Sequence, residues 1–268
     1  ALSCMVHMGN GVMGSAFGTA ATVMLRGHVS DYAGSFSYCE NEDIGEDEKP
    51  KAFPVQNERL KTAKPDDFKK IPGSPVAYWV SEKTRIAFST NRSLRDICAP
   101  RQGMATGDNE KFLRYWNEVD CSDINFNAKS SEDFWRSGFR YARYNKGGAY
   151  RKWYGNNDYV IKFSKDDYLQ LKNQGNHCPS ENYYFRESIT WSDITTRAFG
   201  ARQSAQGAVF DVKGSCAFPT SKDFPIVISL LASSVINYFM AILNPSVTFQ
   251  VGDLAKIPVP ENIHGAEE

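Results

Sequence analysis

Apolar residues in this chain fall in short runs, each bounded by glycine, proline or a cluster of charges. Phe17 to Leu25 (FGTAATVML) is nearly continuous in its apolar character and follows a glycine-punctuated turn, GVMGSA. A run of this kind predicts a strand covered on both faces. Only a short segment precedes it, so the expectation is a sheet whose other strands lie outside this chain. The first residue is Ala1 rather than Met, which reads as a piece excised from something longer. Asn41 to Lys49 (NEDIGEDEK) is an acidic, solvated loop, and Ser30 to Pro72, with Pro50, Pro54 and Pro65, reads as a connector.

A compact unit is expected from IPGSPVAYW onward. Ser74 is an N-cap candidate with Pro75 at the first helical position, and Val76, Trp79, Val80, Ala87 and Phe88 predict a helix to about Phe88. Ser93–Pro100 reads as a short strand, followed by the turn RQGMATGDN and the segment Phe112–Trp116. Further strands are predicted at Tyr159–Phe163, Tyr183–Trp191 and Ala208–Val212. Pro225 opens one helix from Ile226 to Leu243, which Pro245 stops. Val247–Val251 is then extended and runs into a proline-rich end at Ile257–Pro260. The sum is an α+β fold, a mixed and largely antiparallel sheet with flanking helices. The expected divisions are residues 1–29 as the end of a larger sheet, 30–72 as connector, 73–260 as the main domain and 261–268 as a tail.

Composition removes several function classes. Six cysteines are scattered without a Cys-x-x-Cys pair, and neither Cys4 with His7 nor His177 with Cys178 has a second pair at zinc-site distance. Unpaired cysteines suit a reducing compartment, so a cytoplasmic location is expected. The longest apolar run, Ile226 to Leu243, is interrupted by Ser229, Ser233, Ser234 and Asn237, which fits a buried helix better than a membrane span. His7, His28, His177 and His264 lie in loop-like or terminal contexts, and no Ser-His-Asp spacing or Walker loop occurs. A nuclease pattern assembled from Pro65-Asp66 and Asp211-Val212-Lys213 has halves too far apart to persuade.

Charge changes the picture locally. The chain of 268 residues is neutral overall, with 31 basic and 31 acidic residues. Yet from Arg136 to Lys165 eight Lys or Arg face one acid, Asp158. Within that stretch YNKGGAYRKWYGNN (144–157) interleaves Lys146, Arg151 and Lys152 with Tyr144, Tyr150, Trp153 and Tyr154, with Asn145, Asn156 and Asn157, and with Gly147–Gly148. Such a mixture suits a surface meeting phosphates, base edges and flat rings. The alternative is a solvated hairpin whose aromatics pack inward.

Five segments in order carry a resemblance: IPGSPVAYW (71–79), RQGMATGDNEKFLRYW (101–116), YNKGGAYRKWYGN (144–156), ITWS (189–192) and LNPSVTFQVGDLAKIPV (243–259). Together they resemble the C-terminal part of large adenine-specific DNA methyltransferases of BREX-type phage-defence systems and related type IIG restriction-modification enzymes. That part looks like a TaqI-like specificity domain, and the similarity runs from about Ile71 to Pro260. HMGNGVMGSAFGTAATVML is similar to the last hairpin of the family's catalytic domain, so residues 1–29 would be a remnant of it. The family's S-adenosylmethionine loop and its Asn-Pro-Pro-aromatic motif are absent. Asn244-Pro245-Ser246-Val247 departs from the latter at two positions and reads as a helix stop. The resemblance thus implies a fragment that neither binds S-adenosylmethionine nor transfers a methyl group, from a full-length parent that does both. Implied partners are double-stranded DNA, the upstream methyltransferase domain of the same parent chain and other defence-system proteins, with no membrane.

On that reading Lys146, Arg151 and Lys152 meet phosphates or guanine, and Asn156 and Asn157 meet an adenine edge. Tyr150, Trp153 or Tyr154 stacks or wedges at an opened step, with burial of Trp153 in the core the favoured alternative. A second candidate surface is Arg101, Gln102, Thr106, Asp108 and Asn109, whose alternative is a plain tight turn. A third is Arg197, Arg202 and Gln203, within the polar stretch 195–207. The rival class is a protein-docking module anchored by Trp116, Trp135 and Trp153.

Overall fold

A computed structural model describes residues 1–47, 49–52 and 55–260. The expected tail at 261–268, with His264, lies outside the described residues. The chain divides into two compact units, one from Ala1 to Thr90 and one from Asn91 onward.

The N-terminal unit is built on a four-stranded sheet. Its strands are β1 (Leu2–Met8), β2 (Thr19–Met24), β3 (Gly34–Cys39) and β4 (Lys61–Ala63), in the order β2-β1-β3-β4. β1 and β3 are parallel, and the other pairs are antiparallel. The segment read as a connector therefore supplies two strands, because Phe36 and Cys39 are apolar positions that the sheet buries completely. Met5, Phe36, Phe68 and Tyr78 form the core. β2 is exposed along its whole length, and Phe17 (80%) and Met24 (74%) stand in solvent.

The helix expected from Pro75 is shorter, α1 spanning Glu82–Thr90. Ser74 has φ +49°, Tyr78 is drawn into the core, and Ser81, not Ser74, caps the helix by accepting from the Thr84 amide at 3.2 Å.

The C-terminal unit holds two open sheets. Its elements in order are β5 (Cys98–Arg101), α2 (Asn109–Phe112), β6 (Leu113–Tyr115), β7 (Ile124–Asn125), α3 (Ser131–Ser137), β8 (Tyr141–Asn145), β9 (Tyr159–Lys162), α4 (Lys165–Gln174), β10 (Ser188–Thr190), β11 (Arg202–Ser204), β12 (Ala208–Phe210), β13 (Cys216–Pro219), α5 (Phe224–Ala232), α6 (Val235–Leu243) and α7 (Val251–Leu254). One sheet, β11-β10-β13-β5, is antiparallel. The other, β12-β8-β9-β6, is mixed, with β12 and the short β7 parallel to β8. The architecture is α+β, as expected.

Ile189, Ala201 and Ala217 of the first sheet's apolar face pack with Val227, Leu231, Ile236, Met240 and the fully buried Trp191. The second sheet is lined by Phe112, Phe134, Ile161, Phe163 and Phe185.

Several boundaries differ from expectation for local reasons. The strand read from Ser93 begins only at Cys98, because the Asp96 carboxylate accepts from both the Ser93 amide and its hydroxyl and closes a tight turn. The strand read from Tyr183 is confined to β10, since Glu181–Tyr183 forms a 3-10 turn and Phe185 has φ +67°. The single helix expected over Ile226–Leu243 is two, α5 and α6, bent by 76°. Ser233 is extended there, and its hydroxyl donates to the Leu230 carbonyl at 2.7 Å, a local bond that competes with helix continuation. Among the described residues no single helix is long and apolar enough to cross a membrane.

Candidate nucleic-acid interface

The tract 144–157 starts inside β8 and leaves it at Lys146. The exit requires glycine. Gly147 has φ +84°, and a Cβ there would lie 2.4 Å from the Lys213 carbonyl oxygen, so only a residue without one fits the approach. Downstream, the Asn156 amide donates to the Ala149 carbonyl at 2.8 Å and closes the loop on itself.

Two of the other candidate segments meet this loop. From one side, the Lys146 ammonium donates to Asn109 Oδ1 at 3.1 Å. From the other, β11 is stitched to Trp153: its amide donates to the Ala201 carbonyl at 2.8 Å and its carbonyl accepts from the Gln203 amide at 2.9 Å. Trp153 thus has a fixed backbone, yet its side chain is 57% exposed, which corrects the expectation of burial in the core. Its φ is +71°, an unfavourable setting for a bulky residue that the two flanking bonds enforce. Tyr154 beside it is 74% exposed. Arg151 is exposed and Lys152 half-buried, and neither forms an ion pair among the described residues. Asn157 is exposed as well.

The remaining candidates have other work. Lys146 lies 3.6 Å from Asp211, a carboxylate that is nearly buried, so part of its charge is already answered. Asp108 caps α2, accepting from the Lys111 amide at 3.0 Å. Thr106 is buried and its hydroxyl donates to Asn109 Oδ1. Arg101 lies over the Tyr183 ring at 4.9 Å, and Gln203 bonds Glu187 at 2.8 Å. Gln102 and Arg197 are exposed, but no hydrogen bond joins them to the tract. Arg202 is 1% exposed and stands opposite Thr190 in the sheet. Thr106 and Arg202 are therefore withdrawn from the surface, Thr106 within the turn that its bond to Asn109 closes and Arg202 by the pairing of β11 with β10.

Tyr115 and Tyr159 escaped the sequence reading. They are register partners across β6 and β9, stacked at 4.8 Å with hydroxyls 3.1 Å apart. Lys146 lies 6.0 Å from the Tyr159 ring, so the pair continues the same surface, with the half-exposed Trp116 next to Tyr115. Only the register of two distant strands joins them, and no local signal marks it.

Beneath the loop the Tyr144 hydroxyl donates to Asp211 Oδ2 at 2.7 Å, fully buried. Burial, then the neighbouring carboxylate, push the phenol well above its ordinary pKa of about 10. The fold thus holds the neutral form, so its contribution is fully present below about pH 10 and lost as the unfolded chain ionises above it. We expect Tyr144→Phe to flatten the alkaline loss of stability by about 1 kcal/mol between pH 10 and 11, read from urea midpoints.

No family model matches the chain. It is 33% identical over 274 residues to the adenine-specific methyltransferase PglX of Lacticaseibacillus casei (strain Zhang), an alignment covering 95% of this chain and 22% of that protein. It is 32% identical over 270 residues to the adenine-specific methyltransferase BrxX of Escherichia coli O9:H4 (strain HS), covering 97% of this chain and 21% of that one. The chain is homologous to a segment of the BREX-type adenine-specific methyltransferases. It spans about a fifth of the length of the curated relatives it matches.

Proposed function

We propose that this chain is the DNA target-recognition part of an N6-adenine methyltransferase, resembling a TaqI-like specificity domain in a cytoplasmic defence system. One observation carries the reading: separate segments converge on the 144–157 loop, where Arg151, Trp153 and Tyr154 are exposed beside the half-buried Lys152, and neither cation has an acidic partner among the described residues. Cations set register on phosphates, and base-edge contacts select sequence. A methyltransferase that works on adenine takes its base out of the stack, which a nearby aromatic side chain assists. Asn157 is the amide placed to meet a base edge, while Asn156 spends one amide hydrogen on Ala149.

In the full-length parent, S-adenosylmethionine would supply the methyl group. The one glycine-rich turn among the described residues of the N-terminal sheet does not fit that cofactor. The glycine-rich turn Gly9–Gly14 joins two antiparallel neighbours and opens no α-helix, unlike the strand–turn–helix that cradles a nucleotide-like group. The exposed β2, whose outer edge has no strand partner among the described residues, is the proposed seat of the upstream methyltransferase domain.

Fluorescence-anisotropy titration of a mixed-sequence duplex at several salt concentrations tests the reading. Two or more phosphate contacts give a slope of log affinity against log salt of about −2 or steeper. Binding that ignores salt, or no binding by a folded sample, would instead favour protein docking through Trp116 and Trp153.

A further inference from the structure

Period-two alternation in the N-terminal unit puts Met5 and His7 of β1 on one face with their register partners Phe36 and Tyr38 of β3. Lys61 of β4 pairs with Phe36 and joins that face. The first rung, Met5 and Phe36, is fully covered: Tyr78 stacks on Phe36 at 5.1 Å, with Phe68 edge-on at 5.5 Å. The second rung is not. Beyond His7 and Tyr38, at the carboxyl ends of the two parallel strands, a groove of about 530 Å³ opens under Trp79. Ligands of open sheets commonly sit at this end of parallel strands.

The groove is walled by rings. His7 meets Tyr38 edge-on at 4.9 Å and lies 6.2 Å from Trp79, which is 44% exposed. The polar groups are few. The Tyr78 hydroxyl is 3.4 Å from His7 Nδ1, and burial lowers the imidazole pKa, so near neutral pH the ring offers Nε2–H when the phenol donates. The Tyr38 hydroxyl makes no hydrogen bond among the described residues. At the mouth, Arg59 is committed to Glu40, Glu42 and Asp43. Lys61 and Glu58, by contrast, form no ion pair among the described residues.

We propose that this groove binds a nucleotide. The base stacks on Trp79, its polar edge meets the imidazole N–H and the Tyr38 hydroxyl, and Lys61 meets the phosphate. An aromatic wall with few polar groups selects a flat heteroaromatic ring, and Lys61, without an ion pair among the described residues, favours an anionic substituent on its own side of the mouth, away from Glu58. The inference rests on the N-terminal unit alone and is independent of DNA reading by the 144–157 loop.

The test is calorimetric titration of the whole chain with adenosine 5′-monophosphate and, separately, adenosine. Saturable binding of both is expected, with Trp79→Ala weakening each at least about fivefold. Lys61→Ala, on an exposed strand that tolerates it, should weaken only the monophosphate, by about two- to fivefold. Trp153→Ala should change neither. Absence of saturable binding overturns the proposal. So does loss through Trp153→Ala with Trp79→Ala indifferent, since the nucleotide would then sit on the other unit.

Discussion

Replacing Arg151 and Lys152 together with alanine is expected to reduce duplex affinity on the order of 50-fold near 0.1 M salt, and to lower the salt slope by about two. The size follows from counterion release, because each cation that meets a phosphate frees close to one condensed ion. These two side chains earn the prediction by being uncommitted: neither forms an ion pair among the described residues, and the loop that carries them is fixed by Trp153's bonds to β11 and by Asn156. Lys146→Ala makes the contrast. Its ammonium is already shared between Asp211 at 3.6 Å and Asn109 at 3.1 Å, so its loss should lower the slope by less than one. Trp153→Ala should leave the slope alone while weakening binding, since stacking releases few ions. Anisotropy at four or five salt concentrations separates the three. A double variant with an unchanged slope would move the DNA face off this loop.

How much of this was legible beforehand depended on whether a property is local. The mixture in 144–157 is local, and so is the need for glycine at its hinge, where Gly147 passes the Lys213 carbonyl. The apolar character of β2 was local as well, but the cover expected on both its faces is not there: the strand is exposed along its length. Burial is not local. Arg202 and Gln203 look alike in a polar stretch, yet pairing with β10 turns the first inward and leaves the second in solvent. Tyr115 and Tyr159 become neighbours only through the register of β6 and β9. The break between α5 and α6 was visible as two adjacent serines. The surrounding apolar residues outweighed them because hydrophobic periodicity does not register a bend. Tyr78 and Trp79 were assigned to a helix for the same reason, whereas the sheet face of the N-terminal unit claims Tyr78.

Arg202 supplies the sharpest separation between reading a residue by type and reading it by place. By type it is a candidate for the DNA face, and Arg202→Met should then weaken binding. By place it is a guanidinium 1% exposed, with no carboxylate partner among the described residues. Among the described residues only a long contact of 3.4 Å to the Gly200 carbonyl engages it, while Nε and Nη2 find no acceptor. Burial drags its pKa from the usual arginine range down to about 10. A depressed pKa in a base means that the fold disfavours the charged form, so at neutral pH the residue costs stability. Methionine removes the uncompensated charge and adapts to the space left. Arg202→Met is therefore expected to raise the unfolding free energy by about 1–4 kcal/mol at pH 7, with duplex affinity unchanged within about twofold. Urea denaturation and anisotropy on the same sample decide it. A variant that keeps wild-type stability but binds DNA poorly would mean that Arg202 leaves the interior to reach the duplex, and the surface drawn around Trp153 would have to include it.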